Sequence, residues 1–362
     1  MMDDIDRKLL TEIQKDFPRV SEPFVALGEK IGISGNDAFN RIKRLKEEKI
    51  LRQISAIFDT RSLGYQSTLV AMKFREDQLD QGAEIINQHP GVSHNYRRND
   101  DYNLWFTVAV PPYHSLEETI KKLHEMSGAL NTLILPTLKL FKIGMKLDLT
   151  GKDSDTLESK NAIYDDSRRR TSAPDLTPEQ IEAIRALQED IPLVDRPFAA
   201  IAETSGFTEQ QLFDVMNYFE AKGYFRRFAG ILHHRKAGFS ANAMVVWNIP
   251  DEKLDEVGPK MALFPQVSHC YKRPIFSDWP YAIYTMIHGA KAEDCGRVVA
   301  KIIQTIGEWP HKNLYSTKEY KKIRLKYFTK ELDEWWDNVG KEKIHPPPLS
   351  DIKINTDTYV VN

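Results

Sequence analysis

The chain begins with hydrophobic residues at helical spacing and then changes to a strand-like alternation. Apolar side chains recur at intervals of three and four residues, which predicts an amphipathic first helix. These positions are Ile5, Leu9, Leu10 and Ile13. A short second helix is predicted over 24–31, and Ser34 is a residue type that caps a third. The segment 50–58 alternates like a wing strand, so the sequence predicts a winged helix here.

The next segment, 60–149, has a different rhythm. Its strings STLVAMKF, VSHNYRR, NLWFTVAV and TLILPTLKLFKI are typical of strands, and DQLDQGAEIINQH and SLEETIKKLHEM are typical of helices. Their order is strand, helix, strand, strand, helix, strand, which is the ferredoxin-like βαββαβ arrangement. We therefore expect an α+β domain after the winged helix.

The whole unit is repeated. A shift of 174 positions places Pro18 on Pro192 and Phe24 on Phe198, and Thr208 is the expected cap of the matching third helix. The fold is predicted to be a tandem duplication of a winged helix-turn-helix domain followed by a ferredoxin-like domain. The predicted divisions are winged helix 1–59, ferredoxin-like domain 60–149, linker 150–176, winged helix 177–233, ferredoxin-like domain 234–329, and C-terminal helix and tail 330–362.

Composition narrows the class of protein. The 362 residues are 41% hydrophobic and 28% charged with a net charge of -2, as in an ordinary soluble protein without a global attraction to nucleic acid. Two cysteines are too few for a disulfide framework or a thiolate metal site. The N-terminus does not resemble a signal peptide, and no apolar run is long enough to span a membrane. We expect a cytoplasmic protein that does not bind membranes.

The motif V-S-H-x-Y-[RK]-R occurs twice, at 92–98 and at 267–273. In a strand, alternate side chains share a face, so the pattern predicts one face in each copy that carries a valine, a histidine, a tyrosine and an arginine. These faces are Val92, His94, Tyr96 and Arg98, and Val267, His269, Tyr271 and Arg273. Such polar groups are costly to bury without a partner, which favours an anionic ligand.

The combination of domains resembles the Lrp/AsnC family of regulators, so DNA binding is one hypothesis. The third helix of the first copy offers cations that could meet phosphates, namely Arg41, Lys43, Arg44 and Lys46. Its counterpart carries Glu209, Asp214 and Glu220 against Lys222 and would repel a phosphate backbone. DNA binding is therefore disfavoured.

Longer strings resemble the siroheme decarboxylases, which are related to the Lrp/AsnC proteins. The first half is similar to one subunit type through GVSHNYRRNDDYNLWFT and LPTLKLFKIGMKLDL, and the second to its partner through QVSHCYKR, DWPYAIYTMIHG and LYSTKEYKKIRLKYF. The resemblance implies removal of two acetate carboxylates of siroheme as CO2, which gives 12,18-didecarboxysiroheme, in haem d1 or alternative haem biosynthesis. It implies a pseudo-dimer of the two halves, within one chain or in a homo-oligomer.

The resemblance also assigns expected roles. The cations Arg97, Arg98, Lys272 and Arg273 would bind siroheme carboxylates, and the catalytic candidates are His94, His269, Tyr96 and Tyr271. Either histidine could instead be an axial ligand of the iron, which the substrate carries, so no separate cofactor is expected. Weaker candidates are the aromatic residues Trp105, Trp279 and Tyr281, which could stack on a macrocycle or form core, and His233 and His234. A haem-sensing regulator and a non-catalytic siroheme carrier remain as alternatives.

Overall fold

The computed structural model describes residues 2–143, 174–232, 241–289, 291–339 and 353–354. Most of the predicted linker, both His233 and His234, and most of the C-terminal tail lie outside these residues. None of the helices in these ranges is long and apolar enough to cross a membrane.

The first half contains three helices and a strand, followed by a sheet with two helices. Its elements are α1 (Asp4–Lys15), α2 (Pro23–Ile31), α3 (Gly35–Glu47), β1 (Leu51–Phe58), β2 (Gln66–Lys73), α4 (Leu79–Asn87), β3 (Val92–Arg98), β4 (Leu104–Val110), α5 (Leu116–Ser127), β5 (Asn131–Leu135) and β6 (Lys139–Ile143). The Ser34 hydroxyl caps α3 by accepting a 3.1 Å hydrogen bond from the Asp37 amide, as predicted.

The second half repeats this order. Its elements are α6 (Pro178–Leu187), α7 (Pro197–Ser205), α8 (Glu209–Ala221), β7 (Phe225–Leu232), β8 (Ala241–Trp247), α9 (Asp251–Ala262), β9 (Val267–Lys272), β10 (Ile283–Gly289), α10 (Ala292–Ile306), β11 (His311–Lys322), α11 (Lys330–Val339) and β12 (Lys353–Ile354). Thr208 caps α8 through the Gln211 amide at 3.2 Å. The predicted α+β duplication is thereby confirmed.

The two winged helices share one hydrophobic core. Strands β1 and β7 pair antiparallel with each other, from Leu51 opposite Leu232 to Phe58 opposite Phe225. Side chains from both sets of helices, such as Leu9 and Phe198, are fully buried in the same cluster. Each predicted wing strand is therefore completed by the wing of the other half, which joins the two helical units into one body.

The two ferredoxin-like sheets exchange strands. Their strand orders are β5-β2-β4-β3 and β11-β8-β10-β9, which is the ferredoxin-like order in both. The long strand β11 runs past its own sheet and pairs with β3 of the first half. In return, β6 of the first half pairs with β9 of the second. The string 132–143 was expected as one strand, but it divides into β5 and β6 around Pro136 because its two parts serve different sheets.

An apolar cluster joins the two sheets on the side away from the helices. It includes Trp105 and Trp279, each 1% exposed, with ring centroids 5.6 Å apart. Tyr281 packs at its margin against Trp279. Of the two roles considered for these aromatic residues, the structure favours core packing.

Candidate functional site

The first motif lies on β3, whose pleat is interrupted by a bulge at Ser93. Val92 pairs with Val108 and His94 pairs with Thr107, so two steps along β3 match one step along β4. One extra residue moves all later side chains to the other face. Val92 accordingly packs in the core under α4 and α5, and its expected place beside His94 is wrong.

The remaining residues of the first motif do share a face. The His94 and Tyr96 rings lie 6.3 Å apart, and the Arg98 guanidinium is 5.8 Å from the Tyr96 ring centre. All three side chains therefore line the side of β3 that is turned away from the helices. The sequence interpretation is correct here from His94 onward.

The second motif repeats this geometry on β9. Val267 pairs with Ile287 and His269 with Met286, so Ser268 is the bulged residue, and Val267 packs among the helices instead of sharing the predicted face. The His269 and Tyr271 rings are stacked at 5.9 Å, and the Arg273 guanidinium is 4.9 Å from the Tyr271 ring. The His-Tyr-Arg face is thus built twice.

Two of the predicted substrate-binding cations lie on the opposite face. Arg97 forms an ion pair with Glu76, and the Lys272 ammonium lies 2.5 Å from Asp251 on α9. Because alternate residues of a strand point to opposite sides, neither side chain joins the His-Tyr-Arg face of its own strand. The structure does not bring Arg97 and Lys272 to the common site.

Arg98 and Arg273 are buried, with exposures of 5% and 8%. Arg98 Nη1 donates a 2.7 Å hydrogen bond to the Leu314 carbonyl of the second half, and Arg273 donates to the Leu135 carbonyl of the first. Among the described residues, neither Arg98 nor Arg273 forms an ion pair with a carboxylate, and both Nε groups lack a hydrogen-bond partner. Burial lowers the pKa of Arg98 to about 10, so the guanidinium still carries its charge at neutral pH.

A serine hydroxyl stands behind each motif histidine. Ser93 Oγ lies 3.0 Å from His94 Nδ1 and 2.9 Å from the Thr107 hydroxyl. Ser268 Oγ lies 2.8 Å from His269 Nδ1 and 2.7 Å from Nε2 of a further histidine, His288. Sequence reasoning missed His288, although it is the penultimate residue of the quoted string DWPYAIYTMIHG. The available signal was an imidazole on the strand expected to neighbour the motif.

Both motif imidazoles are neutral at neutral pH. Burial, reinforced by the neighbouring His288 and Arg273, lowers the pKa of His269 to about 4. Burial is also the main cause that lowers the pKa of His94, followed by the charge of Lys322. Because each motif arginine bonds to a backbone carbonyl of the other half, both faces border the junction between the two sheets. A neutral imidazole can bind a metal ion or take part in proton transfer.

Tyr271 and the wing region complete the electrostatics of the site. Burial raises the pKa of Tyr271 to about 12, so its hydroxyl stays protonated. Arg61, which follows β1, acts on Tyr271, and Arg52 on β1 acts on His94. These two exposed cations, at and just after β1, add weak positive charge near the site, which would attract an anion.

Three of the four cations proposed for DNA contact form ion pairs within the protein, and the fourth, Lys43, is exposed. Arg41 bonds to Asp3 at 2.7 Å, Arg44 bonds to the buried Asp6 at 2.6 Å, and Lys46 bonds to Asp190 at 2.6 Å. Holding these three cations in internal ion pairs leaves less charge for a phosphate backbone.

Metal-binding side chains are not clustered in the part of the chain that the structure describes. No group of three or more His, Cys, Asp or Glu side chains there could hold a metal ion. Cys270 and Cys295 are buried free thiols.

Comparisons with known proteins fit this architecture. Residues 62–142 and 236–321 match the AsnC-like ligand binding domain, and residues 6–52 and 180–226 match the siroheme decarboxylase NirDL-like HTH domain. A siroheme decarboxylase of Hydrogenobacter thermophilus is 38% identical over 92% of this chain and 97% of its own. A crystal structure of the siroheme decarboxylase NirDL with an iron-uroporphyrin III analogue matches with a TM-score of 0.75 and 32% identity, over 93% of this chain and 99% of that one.

Separate subunits match parts of the chain. A siroheme decarboxylase beta subunit of Methanosarcina barkeri is 40% identical over 40% of this chain and 96% of its own. An alpha subunit of Nitratidesulfovibrio vulgaris is 41% identical over 40% of this chain and 81% of its own. On the strength of the matched domains and the full-length relative, the chain belongs to the siroheme decarboxylase family.

Proposed function

We propose that the protein is a siroheme decarboxylase, a carboxy-lyase that converts siroheme to 12,18-didecarboxysiroheme. Family membership supports this function. The observation that carries it is the pair of neighbouring His-Tyr-Arg faces, in which two buried guanidiniums lack a carboxylate partner among the described residues. Such charges are costly to bury alone. A substrate with several carboxylates would supply the missing negative charge.

Binding and orientation follow from the groups at hand. Arg98 and Arg273 already donate one hydrogen bond each to a backbone carbonyl, and their other N–H groups can meet substrate carboxylates. Arg52 and Arg61, at and just after β1, add weaker positive charge near the motif faces. The neutral imidazole of His94 or His269 can bind the iron that siroheme carries. No separate cofactor is needed for this arrangement.

The reaction requires a proton and no redox partner. The bond between each acetate methylene and its carboxylate carbon breaks, CO2 leaves, and the electron pair remains on the methylene carbon. One proton must then be added to that carbon to form a methyl group. Among the site residues, His94, His269, Tyr96 and Tyr271 carry N–H or O–H groups that could deliver it.

The other functions explain less of the structure. A DNA-binding regulator would need the cations of α3, three of which are paired with Asp3, Asp6 and Asp190. A carrier would bind siroheme through the same face but would not change it. Because one chain supplies both motif copies, we propose that a single chain is the catalytic unit and that it acts in the cytoplasm, in haem d1 or haem biosynthesis.

The decisive experiment is anaerobic incubation of the purified protein with siroheme, followed by mass spectrometry of the extracted macrocycle. We expect the loss of two carboxyl groups as CO2. Heat-denatured protein serves as the control for spontaneous decarboxylation. An unchanged macrocycle, with a shifted absorption spectrum that shows binding, would contradict catalysis and support the carrier.

A further inference from the structure

We propose that Ser268 and His288 form a proton relay that feeds His269, and that this relay makes the second motif copy the proton-delivering one. The inference rests on the proposed decarboxylation. It assigns His288 as a positioning and relay residue that need not touch the substrate.

The relay is a continuous hydrogen-bonded chain. Ser268 Oγ lies 2.8 Å from His269 Nδ1 and 2.7 Å from His288 Nε2, and it is 3.4 Å from the Met286 carbonyl. A hydroxyl has one proton and two lone pairs, so it can accept from one imidazole while it donates to the other. These three side chains can therefore hold their protons in two arrangements. In one, Ser268 donates to His269 and accepts from His288; in the other, Ser268 accepts from His269 and donates to His288.

The burial of each of the three residues fits its role in the relay. Ser268 is 2% exposed, so bulk water does not replace its contacts. His288 is only partly buried at the end of β10, where its ring can be reprotonated from solvent. His269 Nε2 has no hydrogen-bond partner within the described ranges, and the ring stacks with Tyr271 on the substrate-facing side. A proton can enter at His288 and leave at His269.

The first copy lacks this connection. Ser93 contacts His94 Nδ1 in the same way, at 3.0 Å, but its second partner is the Thr107 hydroxyl at 2.9 Å. A hydroxyl does not gain and lose a proton near neutral pH, whereas an imidazole does. His94 is therefore held in place without a proton source behind it, and it remains available to face the substrate iron.

The proton balance of the relay is as follows. His269 gives its Nε2 proton to the methylene carbon as CO2 leaves, Ser268 gives its hydroxyl proton to His269 Nδ1, and the imidazolium of His288 gives its Nε2 proton to Ser268. His269 changes tautomer, His288 becomes neutral, and one proton has reached the carbon. Before the second decarboxylation the relay is reset: one solvent proton binds His269 Nε2, the Nδ1 proton returns to Ser268, and Ser268 passes its own proton to His288 Nε2, which becomes an imidazolium again.

The test compares His288→Gln with the matched first-copy variant Thr107→Val. A glutamine amide can still donate a hydrogen bond to Ser268, but it cannot ionise. We expect H288Q to bind siroheme with an unchanged Kd and absorption spectrum, while kcat falls at least tenfold and recovers when free imidazole is added. T107V should retain kcat within about twofold. Ser268→Ala, which breaks the chain at its centre, should lose kcat without imidazole rescue.

The outcomes separate the relay from the reaction itself. Siroheme left unchanged by the wild-type protein would overturn the proposed function and the relay with it. Wild-type turnover together with full activity of both H288Q and S268A would overturn the relay alone. A kcat loss in H288Q that matches a loss of siroheme binding, without imidazole rescue, would also overturn it, because that pattern belongs to a structural role.

Discussion

The two motif copies are alike on the face turned away from the helices and differ behind it. Each presents a histidine, a tyrosine and an arginine after a bulged serine. Behind the serine, however, the first copy has Thr107 and the second has His288. The shared face indicates a common task in holding one anionic ligand. The difference behind it indicates that proton transfer is assigned to one copy.

The helix-facing sides of the two strands have diverged further. Asn95 donates a 3.0 Å hydrogen bond to the Asn87 side chain in the first copy, whereas Cys270 is buried in an apolar cluster in the second. These residues only need to pack under their own helices. A repeat whose two copies agree on one face and differ on the other therefore separates the ligand-binding side of the sheet from its packing side.

Removing the histidines should give the largest and most unequal effects. We expect His269→Ala to lower kcat by about 10²- to 10⁴-fold, the usual contribution of a general acid. His94→Ala should instead change mainly the absorption spectrum of bound siroheme. Single-turnover decarboxylation and spectral titration measure the two effects. Equal and negligible effects of both substitutions would remove these histidines from the mechanism.

Replacing the two buried arginines tests whether both motif copies bind the carboxylates of siroheme. Arg98→Met and Arg273→Met should each weaken siroheme binding by about 1–3 kcal/mol, since a charge-assisted hydrogen bond is lost. The free energy of unfolding without siroheme should change less, because the lost bond to a carbonyl is offset by removal of an uncompensated buried charge. Siroheme titration and urea unfolding separate the two. If the Kd for siroheme were unchanged and the free energy of unfolding fell strongly, these arginines would serve only to hold the two halves together.

A further difference between the halves concerns stability at acid pH, and it depends on His89, which lies just before the first motif. It is fully buried, accepts a 3.0 Å hydrogen bond from the Gly91 amide, and packs against Trp335, whereas Phe264 holds the matching position of the second half. Burial lowers its pKa from 6.5 to about 3, so the unfolded chain binds the proton first. The stabilisation is complete above pH 6.5 and is lost as pH falls toward 3.

Between pH 7 and pH 5 this loss amounts to about 2 kcal/mol. The variant His89→Phe should therefore lose about 2 kcal/mol less stability over that interval than the wild type, as measured by urea unfolding at both pH values. The comparison uses the pH dependence, because the variant also leaves the Gly91 amide unpaired. Parallel pH profiles for variant and wild type would contradict the assignment.

The smallest effects are expected for the cations on the helix-facing side. Arg97→Ala and Lys272→Ala each break a partly exposed ion pair, with Glu76 and Asp251, which is worth about 0–1 kcal/mol. Siroheme binding should stay within twofold of wild type by spectral titration. A tenfold weaker affinity for siroheme in either variant would show that the replaced residue does contribute to substrate binding.

Local patterns predicted the elements well. Helical spacing around Leu9, the caps Ser34 and Thr208, and alternation in the strands all act over a few residues, and they were sufficient for the order of both domains. The repeat then fixed the duplication. These patterns involve residues that lie close together in the sequence, so they can be recognised without knowledge of the folded structure.

The arrangement of the site depended on contacts that the sequence does not encode locally. The bulge at Ser93 inserts one residue and reverses the face of Val92, which strict alternation cannot reveal. The carbonyl partner of Arg98 is Leu314, more than two hundred positions away. The contact of His288 with Ser268 crosses between strands. Each of these features requires the folded register to be known.

The crossed strands have a consequence for assembly. If the halves were separated, β3 and β9 would become free sheet edges, and each would offer its row of backbone groups to any available strand. A half could then pair with its own copy and produce two identical faces, without the Thr107 and His288 combination in one molecule. Joining the halves in one chain gives the correct partner a high effective concentration. The covalent connection thus guarantees that every molecule contains one of each face.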